Sequence, residues 1–456
     1  MAFCEGCFEK QLKIDRLEEE NQRLKQKLRY EERKTEEGYF GSSTPSSEKP
    51  VKPNTPCSGE QKNNGGAVKG HPGHGRKSVT ESDADKVEYL SVGDRCPDCG
   101  GELTDKGQVQ RSVIDSVPIK AKKILYRCEK KWCPRCLKTL KKSPAVLPKF
   151  LYGNQLIAQA SVMHHGHGVP VGRVETILGE NLPSGSLFDI FHRLARLWKP
   201  AVPKIIEEYR KEKVKHADET GWRTDGHSGY AWIFCSEKVS LFQFKESRSS
   251  RIPQTIFGKE QLPGVLVVDR YQGYNRTPCK IQYCYVHLLR KVEDLGKQFI
   301  DEPEVQRFVG VFAPLLSEAI HLRTTSISNK TYHKKAKLLK NKIQKIVNSP
   351  SKHLGIKEIQ IIFNENKKRL YHWVDDRNVP ADNNRAEREL RPTVIARKVS
   401  FGSQSEKGAE TRSVLMSILH TAQKRLKDQT LENWFKNALD QLALNPVLDP
   451  YSLLPP

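Results

Sequence analysis

The 456-residue chain lacks any apolar run near the ~20 residues that cross a bilayer as a helix, so we expect no membrane association. Its opening, MAFCEGCFEK, has neither the apolar core of a secretory signal nor an Arg- and Ser-rich amphipathic presequence. A cytoplasmic, nucleoid-associated protein is therefore expected. Acidic residues are also short: 54 Asp and Glu face 77 Lys and Arg, a net charge of 77 − 54 = +23. Such a surface repels itself, and polyanionic phosphate is the commonest partner that relieves the repulsion. A basic protein built only for solubility is the alternative. With 37% apolar residues and enough length for about three domains, the chain can bury a real core.

The order of what is present suggests a modular layout. In residues 11–34, Ile14, Leu17, Asn21, Leu24 and Leu28 follow the a/d spacing of a coiled coil, with an ordinary amphipathic helix as the alternative. We place a coiled-coil helix in 1–40. Residues 41–80 are rich in Ser, Pro, Gly and Lys, with no aromatic residue after Phe40, and read as a flexible basic linker.

Eight of the eleven cysteines lie in the first 136 residues, several as C-x-x-C pairs, which in a chain without a secretory signal suggests metal before disulfides. CPDCGG at 96–101 and CPRC at 133–136 flank a β-prone stretch, a zinc-ribbon pattern assigned to 81–148. Cys96, Cys99, Cys133 and Cys136 are the natural thiolate set for tetrahedral Zn²⁺, and Cys128 could replace Cys133. Cys4 and Cys7, a lone pair, read as free thiols.

Residues 149–212 read as helical, with breaks at 166–170 and 183–185. Their helix–turn–helix cadence could set the helix over 186–198 in a DNA groove, whereas Leu187, Ile190, Phe191 and Leu194 suggest ordinary packing. The period then changes to that of strands. A three-strand meander with turns at 224–229 and 236–238, a short helix at 250–258, a buried strand at 265–268 and a fifth strand in IQYCYVH follow the order of an RNase H-like core. This α/β domain is placed at 213–412, with a helical insertion at about 300–378 and a C-terminal helical segment at 413–456. One insertion helix carries Lys334, Lys335, Lys337, Lys340, Lys342 and Lys345, either along phosphates or as a solvated face.

Phosphodiester chemistry with two divalent ions needs carboxylates gathered at one point. Asp218 lies in the first strand and Asp269 closes the buried one, so neighbouring strands would bring them to one sheet edge. A third acid would come from the helix that Pro380 and Asp382 begin and Pro392 limits. Glu387 shares a face there with Asn383, Asn384 and Arg391; Glu389 is a competitor that helical geometry alone leaves open.

HADETGWR at 216–223, VVDRYQGY at 267–274, CYVHLLR at 284–290 and DNNRAERELRPTVIARKVSFGSQSEKGAE at 382–410 together resemble transposases of the insertion sequence 66 family. The likeness extends to the N-terminal coil, the GHPGHGR linker, the CPxCGG motif and the LENWFKNALDQL…LLPP end. It implies an enzyme, a DDE transposase with an RNase H-like core that cuts and joins DNA using Mg²⁺ or Mn²⁺, with Asp218, Asp269 and Glu387 as catalytic metal ligands. His287 and Arg290 match a pattern found beside such sites and, with Arg391, are assigned to DNA. YRCEKKWCPRC is longer than the usual end of the zinc motif, which is where Cys128 enters. Expected partners are inverted-repeat and target DNA, further copies of the chain and small accessory proteins. A zinc-ribbon DNA-binding protein without catalysis, or a nuclease for branched DNA, are the alternatives.

Overall fold

An Asp-Gly pair between two β-rich runs is the shortest hairpin signal, and it sets the register of the sheet. In the computed structural model, Asp225 and Gly226 take φ of 51° and 75° and join β3 (Val214–Thr224) to β4 (His227–Cys235), with Thr224 opposite His227. The structure describes residues 150–456 except 180 and 181, and before them 13–21, 24, 82, 87, 102, 121, 123–128, 130–135, 138–141 and 144–148. These fall in two units, one from 1–49 and 121–456 and one from 50–120; the sheet and its helices belong to the first.

β5 (Ser240–Lys245) pairs antiparallel with β4, while β6 (Val265–Val268) and β7 (Lys280–Tyr283) continue the sheet parallel to β3. The order is β5-β4-β3-β6-β7, with the short β8 (Gly402–Ser403) beside the far end of β3. Gly264 turns the chain into β6 at φ 77°, where a Cβ would sit 2.1 Å from the Lys213 carbonyl oxygen, so only glycine fits. A further hairpin, β1 (Lys130–Cys133) with β2 (Lys138–Lys141), lies at the second C-x-x-C pair. Residues 123–128, expected to favour a strand, have no regular structure.

Side chains alternate across a strand, and both faces of this sheet are covered. Trp232 and Phe234 belong to the larger core; Ala231, Ile233 and Cys235 belong to a second one. The larger core also takes in the helices that precede β3, α1 (Asn154–Ser161), α2 (Val171–Leu178), α3 (Ser184–Trp198) and α4 (Ala201–Lys211), of which α4 meets the sheet through Tyr209 against Phe234. In α3 the face with Leu187, Ile190, Phe191 and Leu194 is buried, as ordinary packing requires. After β5, α5 (Arg251–Phe257) leads to β6. The strand expected through IQYCYVH stops at Tyr283, because α6 (Tyr285–Gln298) begins two residues later and buries Tyr285, Leu288 and Val292. Then come α7 (Pro303–Leu322), α8 (Asn329–Val347), α9 (Leu354–Glu365) and α10 (His372–Asp375). The α8 lysines are exposed except Lys340, which is half-buried.

The second face is covered by α11 (Asn384–Ser400) and α12 (Glu406–Arg425), and α13 (Leu431–Leu444) packs on α1. Pro392 does not limit α11; the helix runs eight residues past it. An interior proline costs roughly 3 kcal/mol, offset here by the burial of Leu390, Thr393 and Ala396 on either side. A division at 412/413 falls inside α12. Three α12 hydroxyls spaced by four, Ser413, Ser417 and Thr421, bond the β5 backbone at Phe242 and Ser240 and occupy its free edge. Ile14, Leu17 and Leu24 lie on helical residues and are exposed. No described helix is long and apolar enough to cross a membrane.

Candidate active site

Parallel pairing of β3 with β6 sets Val214 beside Val265 and His216 beside Val267. Two more residues along that register bring Asp218 level with Asp269, at the carboxyl end of β6, where open parallel sheets place their ligands. Asp269 is 5% exposed, and its Oδ1 accepts from the Tyr271 amide at 2.8 Å, which closes the loop around it. Asp218 Oδ1 accepts from the Glu219 amide at 2.9 Å.

The third acid is delivered by a tether. Asn383, immediately before α11 and 1% exposed, donates from Nδ2 to the Ala217 carbonyl at 2.9 Å. Its Oδ1 lies 3.0 Å from His216 Nδ1, and its amide donates to the Cys284 sulfur at 3.2 Å. Burial holds His216 down at about 3, so the ring is neutral and its Nδ1–H donates. One helical turn on, Glu387 stands beside the aspartates. Its Oε2 is 3.8 Å from Arg290 Nη2, and its Oε1 is buried with no hydrogen-bond partner. Glu389 points elsewhere: it pairs with Lys424 at 2.5 Å and accepts from Ser240 Oγ.

Burial raises the Asp218 carboxyl well above the usual range, and the neighbouring charges of Glu219, Asp269 and Glu387 raise it further. Glu219 is a fourth acid that the sequence pattern did not single out. Its side chain is 1% exposed, accepts from Arg248 Nη2 at 2.6 Å and from Nε at 2.9 Å, and is bonded by the Tyr274 hydroxyl. Burial, then Asp269, push it up to about 7 against the pull of Arg248. Its signal was legible only as a second acid beside Asp218, since alternation along a strand would send the two apart.

Four carboxylates thus face two guanidiniums, those of Arg248 and Arg290. With all four ionised, two negative charges remain, the charge a divalent cation balances. The donors are all hard oxygens, as Mg²⁺ or Mn²⁺ requires, and Glu387 Oε1 lacks a partner. Among the described residues, no three His, Cys, Asp or Glu side chains converge closely enough to enclose a metal on their own. Mg²⁺ does not demand that: it is commonly held by one or two carboxylates, waters and substrate phosphate. The acids therefore fit such an ion.

Of the other expected contacts, Arg290 reaches the acids, and His287 lies half-buried one turn before it on α6. Arg391 is exposed, one turn beyond Glu387. Cys96, Cys99 and Cys136 lie outside the described residues; the Cys133 backbone ends β1, and Cys128 is exposed and free.

The fold and its acidic edge define a mixed α/β protein built around one carboxylate cluster. The family model described as Transposase IS66 family matches residues 149–411, and that of the zinc-finger binding domain of transposase IS66 matches 94–136. The chain belongs to the IS66 transposase family. Membership supports DNA as a partner, Zn²⁺ at the finger and a divalent metal at the transposase domain. Two Sinorhizobium fredii (strain NBRC 101917 / NGR234) relatives are similar along most of their length. Uncharacterized protein y4jD is 23% identical over 394 residues, covering 76% of this chain and 74% of its own. Uncharacterized protein y4hP is 21% identical over 405 residues, covering 79% and 72%.

Proposed function

We propose that the chain is a DDE transposase that cuts the ends of its insertion sequence and joins them to target DNA. Its core is read as RNase H-like, on the strength of three antiparallel strands followed by two parallel ones in the order β5-β4-β3-β6-β7. The observation that carries the reading is Asp218 in register with Asp269, with Glu387 held beside them by the Asn383 tether.

Asp218, Asp269 and Glu387 would hold Mg²⁺ or Mn²⁺, which when bound neutralises phosphoryl oxygens and makes water or a 3′-hydroxyl a stronger nucleophile. The chain's own groups supply the rest. Glu387 Oε1 is available to accept a hydrogen bond from the attacking hydroxyl. Arg290 stands where a non-bridging phosphate oxygen would meet it, with His287 and Arg391 along the same approach. Glu219 keeps Arg248 and Tyr274 in place beneath the aspartates. Cys96, Cys99, Cys133 and Cys136 would bind Zn²⁺ in a finger that holds terminal inverted repeats. The exposed Ile14, Leu17 and Leu24 support pairing of the N-terminal helix in a dimeric or larger assembly. Small proteins of the same element are further partners.

The test is Mg²⁺- or Mn²⁺-dependent cleavage and joining of the element's terminal repeats by the full chain, beside a branched duplex. Glu387→Gln should abolish both steps with the fold intact. Glu389→Gln should lower stability, since it leaves Lys424 without its carboxylate, yet retain cleavage. The opposite pattern refutes the triad. Cleavage of the branched substrate alone would favour a nuclease, and repeat binding without cleavage a DNA-binding protein.

A further inference from the structure

α11 also lines a second cavity, of about 420 Å³, at its other end. His164 and His165 line it from the turn after α1, Phe188 and Phe191 from α3, Val399 from α11 and Arg412 from α12. Three features set it apart from packing space.

The first is a buried cation. Arg412 is 7% exposed, and no described carboxylate lies within ion-pair distance of it. It donates from Nη2 to His164 Nε2 at 3.2 Å and stands 5.2 Å from the Trp222 ring centre. Burial pulls it down to about 10, still charged at neutral pH. The second is an orphaned ring. His165 is 4% exposed and neither ring nitrogen has a hydrogen-bond partner. Burial keeps both imidazoles neutral, so they do not repel a polar guest. The third is the mouth. Phe188 and Val399 are 45% and 46% exposed, and Phe401, which stands in the chain between the lining residues Ser400 and Gly402, is 75% exposed at φ 60°. Helices usually end on glycine in that conformation; a phenylalanine there accepts strain to stay on the surface.

A phosphate is a poor guest, because these aromatic and aliphatic walls would strip its water without replacing it. A flat heterocycle with an acceptor edge suits them better. Phe191 is buried against the His164 and His165 rings at 5.4 and 4.9 Å, and the half-exposed Phe188, 6.5 Å from Phe191, offers the face for stacking. The guanidinium fork matches guanine O6 and N7. Ala396 and Val399 line the cavity nine and twelve residues beyond Glu387, ~14 to ~18 Å along the helix. That is about four or five nucleotide steps at 3.4 Å each.

We propose that this cavity receives a purine base, guanine by preference, unstacked from DNA four or five nucleotides from the cleaved phosphate, with Phe401 as the wedge that opens the stack. The inference rests on the transposase reading and names a substrate contact for it. Taking a base out of the helix costs unstacking energy, which the cavity's stacking and the Arg412 fork would return.

The full chain carrying Glu387→Gln, with its zinc in place and no cleavage to follow, is mixed with terminal-repeat duplexes carrying 2-aminopurine at successive positions. One position should brighten severalfold on binding. Phe401→Gly, whose residue suits the backbone there, should remove the brightening and keep the melting temperature; Phe188→Ala should reduce it. Replacing guanine by 7-deazaguanine at that position should weaken binding about tenfold. Bound DNA with no brightened position overturns the proposal, as does brightening indifferent to both variants. So does a rise in melting temperature with inorganic phosphate alone that Arg412→Gln abolishes, since the cavity is then an anion site. Failure to bind the repeats at all would sink the transposase reading itself; loss of cleavage in Asp218→Asn leaves the base pocket standing.

Discussion

Asn383→Ala removes the tether that sets Glu387 beside the two aspartates, and its cost can be worked from three bonds. The Ala217 carbonyl and the His216 Nδ1–H both lose a partner inside a site that excludes water. Each buried group left unsatisfied costs about 1–3 kcal/mol, so the variant should lose about 2–6 kcal/mol. The bond to the Cys284 sulfur comes from the Asn383 backbone and survives. Such a loss is a large part of the 5–15 kcal/mol typical of a domain, so the urea midpoint should fall clearly without a change of slope. Activity should fall further than stability explains. At a temperature where circular dichroism shows the variant folded, repeat cleavage should be at least tenfold slower, and more Mn²⁺ should restore part of it, because the tether acts on the placement of Glu387. Asn383→Asp keeps the acceptor for His216 but sets an oxygen against the Ala217 carbonyl and adds charge beside the acids, so it should be no better than Asn383→Ala. A loss below about 0.5 kcal/mol with cleavage unchanged would refute the tether, whatever the distances.

Three other outcomes rest on single features. Glu219 sits at about 7 when folded against an ordinary 4.5, so the stability it contributes is present below pH 4.5 and lost as pH rises through 7. Urea midpoints of the wild type in EDTA should fall across that window, and Glu219→Gln should flatten the fall; an unchanged profile would show that Arg248 already holds the charge. Lys340, Lys367 and Lys368 line one cavity with Lys280, Arg369 and a single acid, Asp375. Replacing those three lysines by Gln should make the salt dependence of DNA binding shallower by about 3 in log K against log salt if each meets a phosphate, and leave it unchanged if they are a solvated face. Zinc content measured on Cys133→Ser and Cys128→Ser decides the fourth ligand: loss in the first alone supports the Cys96, Cys99, Cys133 and Cys136 set, and loss in the second alone supports the shifted one.

What sequence could reveal depended on how local its cause was. The Asp225-Gly226 hairpin, the all-apolar β6 and the α6 pattern are local, so composition and period expose them. Asp269 could be named because an acid ending an apolar strand has few structural uses, and Asp218 because it lies in a strand that could neighbour that one. Choosing Glu387 over Glu389 was different. Two residues apart on a helix, they face opposite ways, and which one meets the aspartates depends on Lys424 and Ser240, which claim Glu389 from distant elements. Glu219 stayed hidden for the same reason: Arg248 and Tyr274, which make its burial tolerable, lie 29 and 55 residues away. The Pro392 rule failed because it weighs a backbone penalty without the burial on either side of it. The hydroxyls of Ser413, Ser417 and Thr421 read as polar residues on a helix; only the unpaired edge of β5 gives them a purpose.

The two ends of α11 accept opposite costs, and together they argue for one path of substrate. At its start, carboxylates are crowded so that Asp218 is driven toward its neutral form, an arrangement that weakens the isolated fold and is relieved by an arriving cation. Past its end, Phe401 is held in a left-handed conformation on the surface, and Arg412 is buried with no described carboxylate beside it. The crowded acids and the left-handed Phe401 do not improve packing, and each could be removed by one substitution, Asp218→Asn or Phe401→Gly, at a gain in stability. One helix carrying a site short of positive charge and a cavity short of a polar guest is best explained by a ligand that supplies both along its length. A nucleic-acid strand does: its phosphates bring metal ions to the acids, and its bases bring acceptor edges to the guanidinium. On the proposed reading, α11 sets the spacing between the cleaved phosphate and the captured base. Inserting one helical turn of four residues between Glu387 and Ala396 should break that match even if both sites survive.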